Sequence, residues 1–286
     1  MAALVICPFV LLPATLRSMD DQQKYLFDVN GYLVLHDVLT RDLCDRLVAA
    51  AHEGIATPNE SLPEGVGHSD DDPHEASLGD LTSIGPLFAD LIDLPPVLDV
   101  LHTVIHRELR LEISYAFVRR RGFKGLNLHG GGHWDGAGQD LQFTYRYHDG
   151  RIFCGNTVVA FNLTDVGANE GGFICVPGSH KANFDMPEAW RDVSSGSFDP
   201  NVVRSVPCPA GSVVIFPEAL CHGAAPWHGD RERVNLFYKY NHIGMKWRSF
   251  YPTPEALERM TPAQRMFYAE VSSDHRAQRE VYKGRR

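Results

Sequence analysis

The 286-residue chain contains no CxxC pair and no dense cysteine array. Its six cysteines (Cys7, Cys44, Cys154, Cys175, Cys208 and Cys221) are scattered, which suits reduced thiols and not a disulfide scaffold or a thiolate zinc site. No stretch is long and apolar enough to span a bilayer as a helix. Positive charge is in deficit, 27 Lys and Arg against 36 Asp and Glu for a net −9, so neither nucleic acid nor an anionic membrane surface is an expected partner. No internal repeat is found, which sets aside solenoids and propellers. These absences describe an intracellular, cytoplasmic enzyme or binding module that acts on a small molecule. The sequence gives no hint of its oligomeric state.

With 44% hydrophobic residues the chain can bury a large core. Residues 1–18 form an apolar leader interrupted by Pro8 and Pro13, read as disordered or as an organelle-targeting segment, and residues 19–286 read as one domain. Thr40 caps an expected helix with Gly54 as its stop, and two further helical segments follow Pro86 and Pro96. Residues 57–80 lose periodicity, become acidic and rich in Pro and Gly, and are expected to form a structureless lid loop. From Leu111 onward period-two patterns mark strands, with further candidates at 126–129, 152–163, 172–177, 212–217 and 233–241. Asp149-Gly150, Glu170-Gly171-Gly172 and Pro209-Ala210-Gly211 punctuate them. Many short strands with such turns predict a mainly β chain with helical decoration, a jelly roll of the cupin-like, double-stranded β-helix kind.

The chemistry-bearing residues are His133-Trp134-Asp135, His222 and Arg233. Two histidines and one carboxylate are the ligand set of a non-haem Fe(II) facial triad with open coordination positions. His133 and Asp135 lie far from His222 in the chain, so only a folded scaffold could join them. Arg233 opens a strand whose alternation puts Arg233, Asn235 and Phe237 on one face. Its planar guanidinium suits a dicarboxylate co-substrate, although pairing with Glu232 or Asp230 at the surface is the plainer alternative. Arg231 is a second candidate for the same role. The Arg119–Arg121 cluster reads first as a solvated loop, and Lys239 as either a salt bridge or a contact for an anionic substrate.

The run Glu170 to Lys181 (EGGFICVPGSHK), with His222-Gly223, Arg233 and the N-terminal GYLVL strand, resembles the phytanoyl-CoA dioxygenase family over roughly residues 20–245. The resemblance implies a double-stranded β-helix, Fe(II), 2-oxoglutarate and O₂ as co-substrates, and hydroxylation of a small organic substrate with release of succinate and CO₂. It implies that His222 is a metal ligand, that Arg233 binds 2-oxoglutarate, and that Ser179 and His180 lie behind the site. The proximal half-site departs from the family pattern and leaves three assignments open. His133 with Asp135 keeps the expected spacing. His129 with Asp135 would use the triple glycine at 130–132 to bring the carboxylate back. His129 with Gly131 would leave the carboxylate position empty, as in related halogenases. A halogenase or other rebound-diverting oxidase, and a binding module that has lost its metal, are the competing functions.

Overall fold

Local sequence sets the helices that flank the β-structure. In the computed structural model, which describes residues 19–130, 141–248 and 251–271, the helix Asp21–Asn30 begins with a capping box between Asp20 and Gln23. It stops at Gly31, whose φ of 80° a side chain would resist and whose missing Cβ makes room for the His180 ring. Thr40 caps the helix Arg41–Ala56 as expected, its hydroxyl accepting from the Leu43 N–H. Gly54 does not stop that helix. It lies inside the last turn, where a Cβ would come within 2.6 Å of Leu78, so close packing and not termination explains the glycine.

Thirteen strands occur among the described residues. The first six are β1 (Leu33–Leu35), β2 (His68–Asp72), β3 (Glu75–Gly79), β4 (Leu109–Arg119), β5 (Leu126–His129) and β6 (Tyr145–His148). Then come β7 (Arg151–Cys154), β8 (Thr157–Asn162), β9 (Gly172–Cys175), β10 (Arg204–Ser205), β11 (Val213–Pro217), β12 (His222–Ala225) and β13 (Arg233–His242). A seven-stranded sheet runs β1-β11-β8-β13-β4-β3-β2, a four-stranded sheet runs β10-β9-β12-β5, and β6–β7 form a separate hairpin. Every pairing is antiparallel. This is the double-stranded β-helix that the strand pattern predicts. The Asp149-Gly150 turn behaves as read, both residues sitting at positive φ between His148 and Arg151 of the β6–β7 hairpin. The expected strand at 152–163 is instead two, split at Gly155-Asn156, where the backbone bonds to Thr144 and Gln142.

β13 is central to the larger sheet and is buried on both faces. Val234, Leu236, Tyr238 and Tyr240 pack in the main core under the flanking helices. The two hydroxyls reach backbone carbonyls, Tyr238 to Phe88 at 2.7 Å and Tyr240 to Ile92 at 2.9 Å, which removes the cost of burying an unpaired donor. The other face carries Arg233, Asn235, Phe237 and Lys239 and points between the two sheets. β4 is likewise two-sided, and its Glu112 is fully buried and accepts from the Trp247 and Arg248 N–H groups at 3.0 Å each.

The segment 57–80 is not structureless. After a short turn of 3₁₀ helix at Asn59–Ser61 it forms the β2–β3 hairpin, and β3 extends the large sheet by pairing with β4. Only β3 carries core residues (Ala76 and Leu78), while the acidic tip at Asp70–Asp72 is solvent-facing, and this exposed half hides the strand from a periodicity reading. Leu78→Ala should therefore cost about 2–4 kcal/mol, as for a deeply buried leucine, and lower the urea midpoint. A loss below about 0.5 kcal/mol would mean that the hairpin swings free as a lid.

Candidate functional site

β11 ends at Pro217 and β12 begins at His222, so residues 218–221 form a tight, buried turn between them. The turn is held by the Leu220 N–H to the Pro217 carbonyl (2.9 Å) and by the Glu218 N–H to the Asn156 carbonyl (2.8 Å). Cys221 is held from behind: Ser179 Oγ accepts its N–H at 2.7 Å, and its carbonyl accepts from the Val176 N–H at 2.9 Å. β12 lies between β9 and β5, which registers His222 opposite Cys175 on one side and His129 on the other. The His129 and His222 rings are 4.3 Å apart. After His129 the chain passes against the 218–221 turn at Gly130, whose φ is 74°. A Cβ there would lie 2.5 Å from the Glu218 carbonyl oxygen.

Backbone carbonyls fix which nitrogen of each histidine carries the proton. A carbonyl only accepts, so His129 Nδ1 donates to Asn127 O (2.9 Å) and His222 Nδ1 to Leu220 O (2.7 Å). Each Nε2 is then an unprotonated lone pair, the form in which imidazole binds a metal. Burial, with His129 alongside, pushes the His222 imidazole down to about 3, so it is neutral at physiological pH. Glu218 completes a cluster in which one ligand atom from each of His129, Glu218 and His222 lies within 4.8 Å of the others. Its burial alone would raise the carboxyl. Lys239, 2.5 Å away, outweighs that and holds it below the usual carboxylate range.

Glu218 and His222 line a cavity of about 540 Å³, its open mouth included. Strand alternation lines it. Arg233, Asn235, Phe237 and Lys239 come from β13, facing Asn162 and Ala160 of β8 and Tyr115, Phe117 and Arg119 of β4. Tyr115 and Phe237 stack at 5.1 Å, while Phe216 lies 4.6 Å from the His222 ring. Glu218 and Lys239 line the cavity with His222. Arg119 and Arg233, registered directly opposite each other, lie at the other end of their strands.

The two arginines differ in partnership. Arg119 donates to Glu75 at 2.7 Å and is sandwiched by Phe117 and Phe123, its guanidinium carbon 4.4 and 4.3 Å from their ring centres. Arg233 is 3% exposed, and its Nε has no hydrogen-bond partner among the described residues. Burial, then the neighbouring Arg119 charge, pushes its guanidinium down to about 9. The surface alternative for Arg233 does not occur, because Glu232 is taken by Arg120 (2.9 Å) and Asp230 by Arg121. Arg231 is also excluded from the cavity: it pairs with Glu170 at 2.6 Å near the surface.

Of the residues singled out in the sequence, His222, Arg233 and Asn235 line this cavity and His129 packs against the His222 ring, whereas His133, Trp134 and Asp135 lie outside the described residues. Ser179 braces Cys221. His180 turns away from the cavity, its Nε2 donating to the Asp28 carbonyl at 3.0 Å and its ring edge-on to Tyr145. Arg119, read as part of a solvated cluster, is in fact buried. Glu218 was missed altogether, although its four-residue spacing from His222 across a turn was a usable signal. A second group with ligand spacing, His106, Glu108 and His242, lies at the far end of β13. There the two Nδ1 atoms accept backbone N–H groups from Glu108 and Gly244, which leaves less scope for metal binding.

A double-stranded β-helix with paired histidines, a buried carboxylate beside them and a buried arginine lining the same cavity defines a class of metal-dependent β-sandwich enzymes. The chain matches the phytanoyl-CoA dioxygenase (PhyH) family over residues 27–235 and belongs to that family. Among solved structures it is similar to HygX from Streptomyces hygroscopicus with nickel, 2-oxoglutarate and hygromycin B bound, at 26% identity and a TM-score of 0.69 over 83% of this chain and 94% of that one. The iron-bound form of HygX aligns at 25% identity and a TM-score of 0.65, covering 84% and 94% of the two chains. The 2-oxoglutarate-dependent carbocyclase SnoK from nogalamycin biosynthesis shares the fold at 19% identity and a TM-score of 0.58, over 87% and 94%. No curated protein matches the chain.

Gly130→Ala should cost about 1–3 kcal/mol, since the residue must keep a left-handed φ against a carbonyl. It should also weaken divalent-metal binding, because relief comes only by moving His129 away from His222. Unchanged metal affinity in calorimetry would show that this close approach does not set the spacing of the histidines.

Proposed function

We propose that this chain is an Fe(II)- and 2-oxoglutarate-dependent oxygenase acting on a small organic molecule, with residues 19–286 as one catalytic unit. One observation carries the reading: the His222 imidazole, paired with His129, and a buried guanidinium whose Nε has no partner among the described residues line or adjoin one cavity. The donor set fits a ferrous ion, since two imidazole Nε2 atoms and a carboxylate leave positions for a chelating co-substrate and O₂. When bound, iron with 2-oxoglutarate supplies the oxidising power for a C–H bond, with release of succinate and CO₂.

The protein's own groups have simpler tasks. His129 and His222 present lone pairs whose direction is set by their Nδ1–H bonds to backbone carbonyls. Arg233 binds the far carboxylate of 2-oxoglutarate, which relieves the cost of burying an unpaired cation. Phe173, Phe216 and Phe237 exclude water along the cavity, and Tyr115 and Phe117 offer an aromatic wall to the substrate. The likeness to HygX, a protein crystallised with 2-oxoglutarate and hygromycin B, supports a co-substrate and small-molecule substrate of these kinds. A halide-using oxidase is the second reading. It is favoured by His129 being the histidine opposite His222, because the residue two positions on is Gly131 and brings no carboxylate.

Anaerobic Fe(II) and 2-oxoglutarate should together produce a visible charge-transfer band, and its absence at saturating ligand would sink the oxygenase reading. Arg233→Met should raise the KM for 2-oxoglutarate at least about tenfold, the loss of one charge-assisted pair. The same change should stabilise the ligand-free protein, because it removes an unpaired buried charge. Thermal unfolding with and without 2-oxoglutarate checks both signs, and a variant destabilised without ligand contradicts the assignment.

A further inference from the structure

We propose that Glu218 is the carboxylate ligand of the metal, and that Lys239 is the counter-ion that holds this carboxylate while the metal is absent. The proposal rests on the oxygenase reading above and specifies its metal site.

The geometry begins with the turn between β11 and β12. Glu218 and His222 stand at its two ends, and hydrogen bonds to Asn156, Pro217 and Ser179 fix the backbone between them. Both side chains line the cavity, and a Glu218 carboxylate oxygen lies within 4.8 Å of ligand atoms of both His129 and His222. The residue is 4% exposed. A carboxylate so deeply buried needs a cation, and an ion pair standing alone in a core seldom stabilises a fold relative to apolar residues. Here the carboxylate also has a ring nitrogen of each of two histidines within the same 4.8 Å. Two imidazole nitrogens and one carboxylate oxygen at this mutual spacing are a ligand set that one cation could join.

Lys239 supplies the charge from one side. Its Nζ is 2.5 Å from Glu218 Oε1, and the side chain is 14% exposed. The ammonium also lies 5.8 Å from the Tyr115 ring centre and 5.2 Å from that of Trp247. These two rings give it a resting place by cation–π attraction when Glu218 turns to a metal. The triad then comes from two adjacent strands of the small sheet and the turn leading into one of them. It requires nothing from residues 131–140. It also answers the vacancy that Gly131 leaves, since the missing carboxylate arrives from the other side of the histidine pair.

A structural ion pair and a metal ligand make opposite predictions for the two partners. Metal affinity is measured anaerobically with Co(II), whose visible d–d absorption reports the number and kind of ligands. Glu218→Gln should weaken binding at least about a hundredfold, the upper range for losing even an outer partner of a metal ligand, and should change the Co(II) spectrum. Lys239→Met should bind Co(II) as tightly as the wild type or more tightly, because the competing cation is gone. Asp135→Asn should stay within about threefold. Equal losses in Glu218→Gln and Lys239→Met would reduce the pair to a structural bridge and overturn the proposal, as would a larger loss in Asp135→Asn than in Glu218→Gln. Because Glu218→Gln strands Lys239 and could unfold the chain, the double variant Glu218→Gln/Lys239→Met, a neutral pair of similar volume, is measured beside it. Wild-type affinity in the folded double variant also overturns the proposal. Failure of the wild type itself to bind Co(II) or Fe(II) would instead overturn the oxygenase reading.

Discussion

The antiparallel pairing of β12 with β5 is the constraint on which the site depends. Backbone hydrogen bonding places His222 opposite His129, and cross-strand neighbours on one face are close enough for two rings to meet. A slip of one residue would turn His222 to the other face of the sheet. Three features guard against the slip. The pairing of β12 with β9 holds it from the opposite edge, Ser179 captures the Cys221 N–H, and Gly130 lets the chain leave β5 against the carbonyls of the 218–221 turn. The PGSHK segment thus acts at one remove. Its serine fixes backbone beside the histidine, while His180 and Lys181 reach the opposite way, to Asp28 on the first helix.

The interior face of β13 carries a cation near each end, and the two are treated differently. Lys239 is neutralised by Glu218, and across the strand from Arg233 the Arg119 guanidinium is neutralised by Glu75. Arg233 alone among these three has an unpartnered Nε. A fold that satisfies two buried cations and leaves the third short has the signature of a binding site, because an uncompensated buried charge is retained only where a ligand completes it. The β2–β3 hairpin enters this electrostatic design through Glu75, so an edge hairpin with an exposed acidic tip tunes the cavity floor from outside.

Several of these features were legible in the sequence. Helix caps at Asp20 and Thr40, the Asp149-Gly150 hairpin and the alternation of Arg233, Asn235 and Phe237 are local signals, set by backbone conformation within a few residues. The strands at 126–129 and 233–241 were recovered almost to the residue for the same reason. The hairpin at 68–79 was missed because only its second strand is buried, and Gly54 was misread because a glycine that admits a neighbour and a glycine that ends a helix look alike in one dimension. Arg119 was hidden in a run of three arginines, of which Arg120 and Arg121 do pair at the surface.

By itself the sequence determined the fold class and the family, since these follow from periodicity, turn chemistry and a short motif. Only the tertiary structure showed that His129 stands opposite His222, that Glu218 lies beside them, and that the Arg233 Nε lacks a partner among the described residues. Such facts depend on strand register and on competition among charges, and both are properties of pairs of residues distant in the chain. No local pattern encodes them.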